Sequence, residues 1–329
     1  MEYVRWGVLS VSNHYRQRVH GQLGESLLSR VAGIASRDGE KAAEEARKLD
    51  IPRSFGSYEE LLADPDIDAV YIPLPNNLHA AWVKAAANAG KHVLCEKPFA
   101  MDAAEAEEAI GYARSRGVLV MEAFMYRYHP LWIRAVQIVR SGEIGKIVFV
   151  QAHFSFNNKD PRNIRNMRET GGGAIMDIGC YAVSASRYLV GAEPRRVLSL
   201  VNRDSSFGTD ALSSGLLDFG GIHAQFSVST QAFPAQNVDV VGTAGSLSMR
   251  IPFNIYADVP AELEVRTGIG ARTVACGPAG QYRLMFDAYS ERILSGGKEP
   301  TPAEDAIANM KTLDALFRSE ASGAWESPG

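Results

Sequence analysis

Hydrophobic and polar positions in the first third of the chain alternate between two periods. Short apolar runs of strand length recur at 4–11, 31–35, 69–74, 92–94 and 119–122. Between them, apolar residues follow helical spacing at 14–28, 41–48, 58–62, 79–89 and 103–116. Strands that alternate with helices of this length predict a doubly wound parallel sheet, which we assign to residues 1–125.

The pattern changes beyond His129. A helical segment at 131–140 is followed by longer alternating segments at 146–156, 196–202, 212–218 and 223–230. Such segments predict an α+β domain over residues 126–329, with an open-faced, largely antiparallel sheet and a terminal helix at about 302–317. A sheet face of this size must be covered, which favours a homodimer.

Composition and charge limit the classes of partner and ligand that we expect for this protein. The chain has 329 residues, a formal net charge of −4, 46% hydrophobic and 22% charged residues, which is ample material for two cores. No basic run stands out, so nucleic acid is not an expected partner. No apolar stretch reaches membrane-spanning length and the first residues lead straight into a strand, so we expect a cytoplasmic protein without membrane contact. The three cysteines lack the spacing of metal ligands, so no metal is expected.

A lysine stands at the end of one predicted strand. The segment Cys95-Glu96-Lys97-Pro98 follows the apolar run at 92–94. In an open parallel sheet, ligands gather outside the carboxyl ends of the strands, so Lys97 is predicted to face a ligand as a catalytic ammonium. Pro98 restricts Lys97 to extended geometry. The alternative is a surface lysine beside a turn proline.

The first strand-to-helix turn is the expected place for a dinucleotide, yet it lacks the G-x-G-x-x-G pattern. Ser10, Ser12 and Tyr15 stand in the glycine positions. Serine keeps much of the backbone access that a pyrophosphate needs, whereas Tyr15 is bulky enough to force the helix away from the strand. The alternative is a serine-rich turn that only caps a helix. The cofactor candidates in this turn are Ser10, Ser12, Asn13 and His14.

The end of the second strand indicates which dinucleotide to expect. Ser36 stands where an NAD site usually carries an acidic residue for the ribose hydroxyls, and Arg37 follows it. A hydroxyl and a planar guanidinium suit a 2′-phosphate, so NADP(H) is predicted in preference to NAD(H). The alternative is that Arg37 only extends along the surface.

Several short motifs together resemble one enzyme family. They are Trp6-Gly7-Val8, Ser36-Arg37, the segment 73–79, Glu96-Lys97-Pro98, the glycines 171–173 and the segment 177–181. This set resembles the glucose–fructose oxidoreductase and inositol dehydrogenase (Gfo/Idh/MocA) family, and the segment 121–130 is similar to its branch of dimeric dihydrodiol dehydrogenase and NADP-dependent xylose dehydrogenase. The resemblance implies a Rossmann domain, a sheet domain that often dimerises, and hydride transfer between nicotinamide and a sugar carbon.

The resemblance also implies catalytic roles. Lys97 would hold the substrate oxygen, Tyr181 would give or take the proton, and Asp177 would orient the pair. Hydride transfer to a carbonyl leaves an alkoxide that needs a proton, and a nearby ammonium makes a phenol with an ordinary pKa of about 10 usable near neutrality. The alternative for Asp177 and Tyr181, four residues apart on a helix, is a helix-start acid and a buried aromatic residue.

Further positions have weaker support. In the family, cofactor contacts follow the strand at 69–74, although asparagines there are also ordinary turn residues. Glu96 and Arg127 are expected in the cofactor pocket, and the alternative for them is a structural ion pair. The additional cofactor candidates are Pro73, Asn76, His79, Glu96, Lys97 and Arg127. Asn163 and Arg165 precede the glycines and are candidates for binding sugar hydroxyls, or else solvated loop residues.

Three functions follow from these residues. The leading one is an NAD(P)-dependent oxidoreductase that acts on a small-molecule carbohydrate, a sugar or a sugar-like polyol or ketone. The second is a trans-dihydrodiol dehydrogenase, and the third is a non-catalytic NADP-sensing regulator on the same fold. The altered glycine pattern favours the regulator, whereas the presence of Lys97 and Tyr181 opposes it, since a sensor needs no proton donor.

Overall fold

The computed structural model describes residues 2–297 and 299–329. These residues form two compact units, the first running to Met125 and including Gly280–Ile307, the second comprising Tyr126–Ala279 and Ala308–Gly329. The first unit includes residues 280–307, whereas the sequence pattern assigned 126–329 to a second domain. The cause is aromatic packing, because Phe286 lies 4.7 Å from Trp6 and 5.3 Å from Tyr71, ring centre to ring centre.

The regular elements agree with the sequence pattern over most of the first unit. The helices in chain order are α1 His20–Leu23, α2 Gly39–Lys48, α3 Tyr58–Ala63, α4 His79–Asn88, α5 Ala103–Ser115, α6 Pro130–Ser141, α7 Cys180–Val190, α8 Gln281–Ser295 and α9 Ala303–Ser322. Three helix starts are set by side-chain caps, since Asp38, Ser57 and Asp102 each accept a hydrogen bond from a backbone N–H three residues on.

The described residues contain more strands than the sequence pattern indicated. In chain order they are β1 Val4–Leu9, β2 Ser29–Ala35, β3 Ser54–Phe55, β4 Ala69–Ile72, β5 His92–Cys95, β6 Val120–Glu122, β7 Ile147–Asn157, β8 Arg196–Arg203, β9 Asp210–Asp218, β10 His223–Ser229, β11 Gln231–Gly242, β12 Gly245–Arg250, β13 Ala261–Thr267 and β14 Gly270–Cys276. Sequence reasoning missed β3 and the four strands from β11 to β14.

The first unit is built on a six-stranded sheet in the order β3-β2-β1-β4-β5-β6, with parallel pairing throughout. All residues of β4 are buried, as expected for a strand covered on both faces. The chain reverses its direction of winding between β1 and β4, and a crevice outside the carboxyl ends of these strands is where such sheets bind ligands. The predicted doubly wound sheet is confirmed.

The second unit contains an eight-stranded sheet in the order β14-β13-β12-β11-β7-β10-β9-β8. Strands β10 and β7 are parallel, and the other pairs are antiparallel. Helix α7 packs on β7 and β10, and α6 packs on β13 and β14. The predicted open-faced, largely antiparallel sheet is confirmed.

Among residues 2–297 and 299–329, no helix combines the length and the apolar character that crossing a membrane requires. No three His, Cys, Asp or Glu side chains among them come together in a way that would hold a metal ion. Cys95 and Cys180 are buried, and Cys276 is half-buried.

Candidate active site

The turn after β1 keeps the backbone shape of a glycine turn without the glycine. Ser10 has a φ of 142°, in the region where residues with a side chain are strained. Burial raises the pKa of the Tyr58 hydroxyl, at the start of α3, while the charge of Arg37 and the side chain of Ser10 oppose this effect. The turn after β1 and the segment after β2 therefore both lie near one phenol.

The helical turn that follows accommodates the bulky side chain of Tyr15. Ser12 Oγ accepts a hydrogen bond from Tyr15 N at 3.1 Å, so this serine caps the helix start as its alternative interpretation proposed. Tyr15 is fully buried, and the chain from Tyr15 to Val19 forms a π-helical turn, which is wider than an α-helical one. Its hydroxyl lies 3.0 Å from His20 Nδ1. Asn13 is exposed and pairs with Arg16.

The two residues predicted to select NADP differ in exposure. Ser36 is buried, and its Oγ accepts a hydrogen bond from Asp38 N at 3.2 Å. Arg37 is exposed, so its guanidinium is accessible, and its charge acts on the nearby Tyr58 hydroxyl. A cation at this strand end suits the phosphate proposed from the sequence.

Glu96 is the centre of a polar cluster at the end of β5. Its Oε1 accepts a hydrogen bond from Tyr71 Oη at 2.6 Å and lies 3.3 Å from His14 Nε2. His14 Nε2 is also 3.2 Å from the hydroxyl of Tyr282. Burial alone would raise the pKa of the Glu96 carboxyl, but the His14 imidazole, the Lys97 ammonium and the Tyr71 hydroxyl outweigh it and lower that pKa to about 2. Glu96 is therefore ionised at neutral pH.

Lys97 stands at the carboxyl edge of the sheet, as predicted. Its side chain is half-buried, and a cis peptide bond links it to Pro98. His79 lies beneath this segment without exposure to solvent, with Nδ1 2.9 Å from the Pro98 carbonyl and Nε2 2.8 Å from the Leu74 carbonyl. Burial lowers the pKa of His79. His79 thus ties the chain after β4 to the segment that carries Lys97.

The other candidates after β4 lie at the same edge of the sheet. Pro73 is buried, and Asn76 is half-buried at the start of a short 3₁₀ helix, Asn76–Leu78. The cofactor contacts predicted for these two residues stay predictions.

In the second unit, two predicted residues form an ion pair. Arg165 Nε donates to Asp177 Oδ2 at 2.7 Å. Asp177 is buried and Arg165 is half-buried, so the carboxylate and the guanidinium lie together at a position that is partly accessible to solvent. Asn163 accepts a hydrogen bond from Arg165 N through Oδ1 at 3.1 Å, which shapes the loop on that side.

The predicted glycines hold this loop against the helix. Gly173 N donates to the Arg165 carbonyl at 2.9 Å. A Cβ atom at position 172 would lie 2.5 Å from the same carbonyl oxygen, so only glycine fits there. The chain then enters a π-helical turn, Ile175–Gly179, that continues into α7 and carries Asp177.

Tyr181 is seated among aromatic rings. Its ring centre lies 5.3 Å from that of Phe253 and 5.9 Å from those of Tyr126 and Phe154. Only 5% of the residue is exposed. Such packing fixes the ring while the hydroxyl serves as its polar end.

Arg127 lies in the second unit. Its Nη2 donates to Ser184 Oγ at 2.7 Å, its Nε donates to Tyr126 Oη at 3.3 Å, and its guanidinium stacks 5.0 Å above the Tyr188 ring. Arg127 thus makes a hydrogen-bonded contact with α7, which is neither the cofactor contact nor the structural ion pair considered for it from the sequence. The cofactor role stays a prediction.

Sequence reasoning missed four residues that shape these sites. They are Tyr58, Tyr71, Asp210 and Phe253. None of them belongs to a short motif, and each meets its partner across a long stretch of sequence. For Asp210 the sequence does contain a signal, because this acid stands at the start of an apolar strand and a buried carboxylate needs hydrogen-bond partners.

Comparison with known proteins agrees with this architecture. The model of the oxidoreductase family with an NAD-binding Rossmann fold matches residues 6–124. The model of the GFO/IDH/MocA C-terminal domain matches residues 132–248.

Individual relatives cover most of the chain. A D-xylose 1-dehydrogenase (NADP(+)) of Haloferax volcanii is 41% identical over 295 residues, 89% of this chain and 90% of that protein. The trans-1,2-dihydrobenzene-1,2-diol dehydrogenase of Bos taurus is 34% identical over 253 residues, 76% of this chain and 75% of that protein. The crystal structure of a 3-ketoreductase from Actinomadura kijaniata with NADP and TDP-benzene has a TM-score of 0.90 and 30% identity, and covers 96% of this chain and 98% of that one.

Fold and comparisons together define an oxidoreductase with a nucleotide-binding Rossmann domain and a separate sheet domain. The chain belongs to the GFO/IDH/MocA family, as the resemblance of its motifs predicted.

Proposed function

We propose that this protein is an NADP(H)-dependent oxidoreductase that transfers a hydride between the cofactor and a carbon of a sugar or sugar-like polyol. The observation that carries the proposal is the 2.7 Å ion pair between Arg165 and Asp177, on the helix that also carries Tyr181. A guanidinium donates and a carboxylate accepts, so the pair offers both kinds of hydrogen bond that neighbouring sugar hydroxyls require.

The residues of the first unit fit a dinucleotide. Ser10 keeps the glycine-like backbone of the turn after β1, and Arg37 is an exposed cation at the end of β2. Ser10, Ser12, Asn13 and His14 would face the pyrophosphate, while Ser36 and Arg37 would hold a 2′-phosphate. Bound NADP(H) supplies the hydride or accepts it. The NADP(+)-dependent xylose dehydrogenase relative and the NADP in the Actinomadura ketoreductase crystal support this choice.

Three side chains of this protein would manage the proton. Lys97 donates a hydrogen bond to the substrate oxygen and offsets its developing negative charge. Tyr181 gives a proton to that oxygen in reduction and takes one in oxidation. Asp177, held by Arg165, accepts a hydrogen bond from a neighbouring hydroxyl and so orients the substrate. This assignment requires Lys97 and Tyr181 to reach one substrate oxygen.

The decisive experiment is a screen of NADP(H)-linked turnover over aldoses, keto-sugars and trans-dihydrodiols, with Lys97→Ala and Tyr181→Phe measured beside the wild type. We expect turnover of a sugar, and loss of most of it in both variants while NADPH still binds. Faster turnover of a dihydrodiol identifies the second function, for which the bovine relative is the specific support. NADPH binding without turnover of any compound identifies a regulator.

We further propose a homodimer that forms through the outer face of the eight-stranded sheet. Leu200, Leu212, Leu216 and Phe149 lie on this face and are between 37% and 72% exposed. The strand register gives Leu216 the neighbours Leu198 and Gln225, while Leu200 pairs with Ser214 and Leu212 with Asn202, so the leucines share one face with polar residues between them. An apolar strip on an open sheet is stabilised by a second copy of itself.

A further inference from the structure

Asp210 is a buried carboxylate that the proposed chemistry does not use. It is the first residue of β9 and is 1% exposed. Its Oδ2 accepts hydrogen bonds from Ile175 N at 2.7 Å and from Ser213 Oγ at 2.9 Å. Its Oδ1 lies 1.8 Å from where a Cβ atom at position 173 would stand. The carboxylate therefore fills the space at the beginning of the helical segment that carries Asp177 and Tyr181.

That beginning is a glycine segment held from two sides. Gly171 and Gly173 have φ values of 74° and 123°, which favour glycine. On one side, Gly173 N donates to the carbonyl of Arg165, the partner of Asp177. On the other side the segment rests on Asp210. A shift of Asp210 would therefore move the Arg165 loop and the helix start together.

We propose that Asp210 is a positioning residue for the reaction, which fixes the segment 173–177 so that Arg165 and Asp177 meet and Tyr181 is held in place. This role rests on the proposed function, because it assigns Asp210 an effect on turnover through those three residues. Displacement of reacting groups by about 1 Å costs enzymes on the order of 100-fold in rate, so a residue without substrate contact can have a large effect.

The electrostatics of Asp210 support a role outside simple stabilisation of the fold. Burial raises the pKa of its carboxyl to about 6, against the opposing effects of Ile175 N–H, the Ser213 hydroxyl and the charge of Arg203. Arg203, on the neighbouring strand β8, is itself paired with Glu320 of α9. An acid with a raised pKa contributes most to stability below its unfolded pKa of 3.8, and that contribution is lost as pH rises through about 6. At neutral pH the ionised Asp210 carboxylate therefore lowers the free energy of unfolding.

The test compares Asp210→Asn with the wild type and with Asp218→Asn, the same change at the other end of β9, where the acid pairs with Arg196 on the surface. For Asp210→Asn we expect NADPH affinity within about twofold of wild type, and kcat lowered by at least about tenfold with a smaller change in KM. Hydrogen exchange should accelerate at the amides of Ile175–Gly179 and not across the rest of the sheet. Asp218→Asn should change none of these quantities.

Two results would overturn the inference: wild-type kcat in Asp210→Asn whatever its melting temperature, or unchanged exchange at Ile175–Gly179. If the wild type turns over no compound of the screen, the proposed function fails, and the exchange data still decide whether Asp210 fixes the segment. A second measurement uses pH. The wild type should lose free energy of unfolding relative to Asp210→Asn between pH 4 and 7, whereas an acid kept for stability alone would give the opposite trend.

Discussion

Arg165 and Asp177 face each other across 2.7 Å, although one lies in the short 3₁₀ helix Ile164–Asn166 and the other in the π-helical turn before α7. Hydrogen bonds to charged groups contribute about 1.5 to 3 kcal/mol, or roughly 10- to 100-fold in an equilibrium constant. The pair is therefore strong enough to hold the loop at the helix and to influence how a substrate binds there.

We expect Arg165→Met to lower kcat/KM for the sugar by about 10- to 100-fold, because it removes the guanidinium and leaves Asp177 without this donor. Steady-state kinetics at saturating NADPH measures the effect. The matched control is Arg162→Met in the same loop, since Arg162 is exposed and pairs with Asp160 instead. Equal kinetics in the two variants would show that Arg165 has no part in the reaction.

The φ of 142° at Ser10 makes a second prediction. In ordinary positions an alanine variant is more stable than a glycine variant by about 0.5 to 1 kcal/mol. Here we expect the reverse, with Ser10→Gly more stable than Ser10→Ala by about 1 to 2 kcal/mol, because glycine relieves the strain and both changes remove the contact with Tyr58. Denaturant unfolding measures the difference, and an alanine variant at least as stable as the glycine variant would disprove it.

The preference for NADP(H) is tested at Arg37. Removal of a charge-assisted contact with a 2′-phosphate should weaken NADPH binding by about 10- to 100-fold in Arg37→Ala and leave NADH binding within about threefold. Tyr58→Phe should weaken NADPH binding less, since it keeps the guanidinium and removes only a hydroxyl near it. Titration by tryptophan fluorescence reads both, with Lys48→Ala at the far end of α2 as control. Equal loss for both nucleotides would exclude a phosphate contact at Arg37.

The parts of the molecule that could be predicted from sequence are those set by local pattern. The apolar run at β5 and the capped helix α5 follow from neighbouring residues, so their places at the edge that carries Lys97 were foreseeable. Strands β11 and β14 were not, because their burial does not alternate from residue to residue: Phe233, Pro234 and Ala235 of β11 are all exposed, and so are the first four residues of β14. The place of α8 in the first unit could not be predicted either, because it depends on a hydrogen bond from Trp6 to Ser290, 284 residues away.

The site shows the same limit. The motifs indicated Lys97, Asp177 and Tyr181 as single positions, but the contacts that hold such side chains join distant segments. Asp210 meets Ile175 across 35 residues, and Tyr71 meets Glu96 across 25. A spacing rule detects neither contact, since the fold alone brings the partners together.

Glu96 gives a prediction about pH. Its carboxyl has a pKa lowered from 4.5 to about 2, so its stabilising effect is present above pH 4.5 and is lost as the pH falls through about 2. The full effect is about 3 kcal/mol, at 1.36 kcal/mol for each pH unit between the two values. Glu96→Gln should therefore have a flatter dependence of unfolding free energy on pH between 5 and 3 than the wild type.

Urea unfolding at several pH values in this range measures that slope. Glu44→Gln is the control, because Glu44 is an exposed acid that pairs with Lys48 on the surface of α2. Parallel curves for the wild type and Glu96→Gln would show that the His14 and Tyr71 contacts do not stabilise the ionised form.

The proposed dimer is tested at the centre of the apolar strip on the outer sheet face. A carboxylate at position 216 would be buried without a partner in such an interface. Two-fold symmetry places one such carboxylate on each subunit, so the energetic cost is doubled. Leu216→Asp should therefore raise the dimer dissociation constant by about 100-fold or more, which sedimentation velocity at micromolar concentration resolves as a shift to monomer. Leu27→Asp is the matched control, because Leu27 is 82% exposed and lies in the first unit. A monomeric wild type, or a Leu216→Asp variant that stays dimeric while remaining folded, would exclude this face, since an interface built on these leucines does not tolerate the charge.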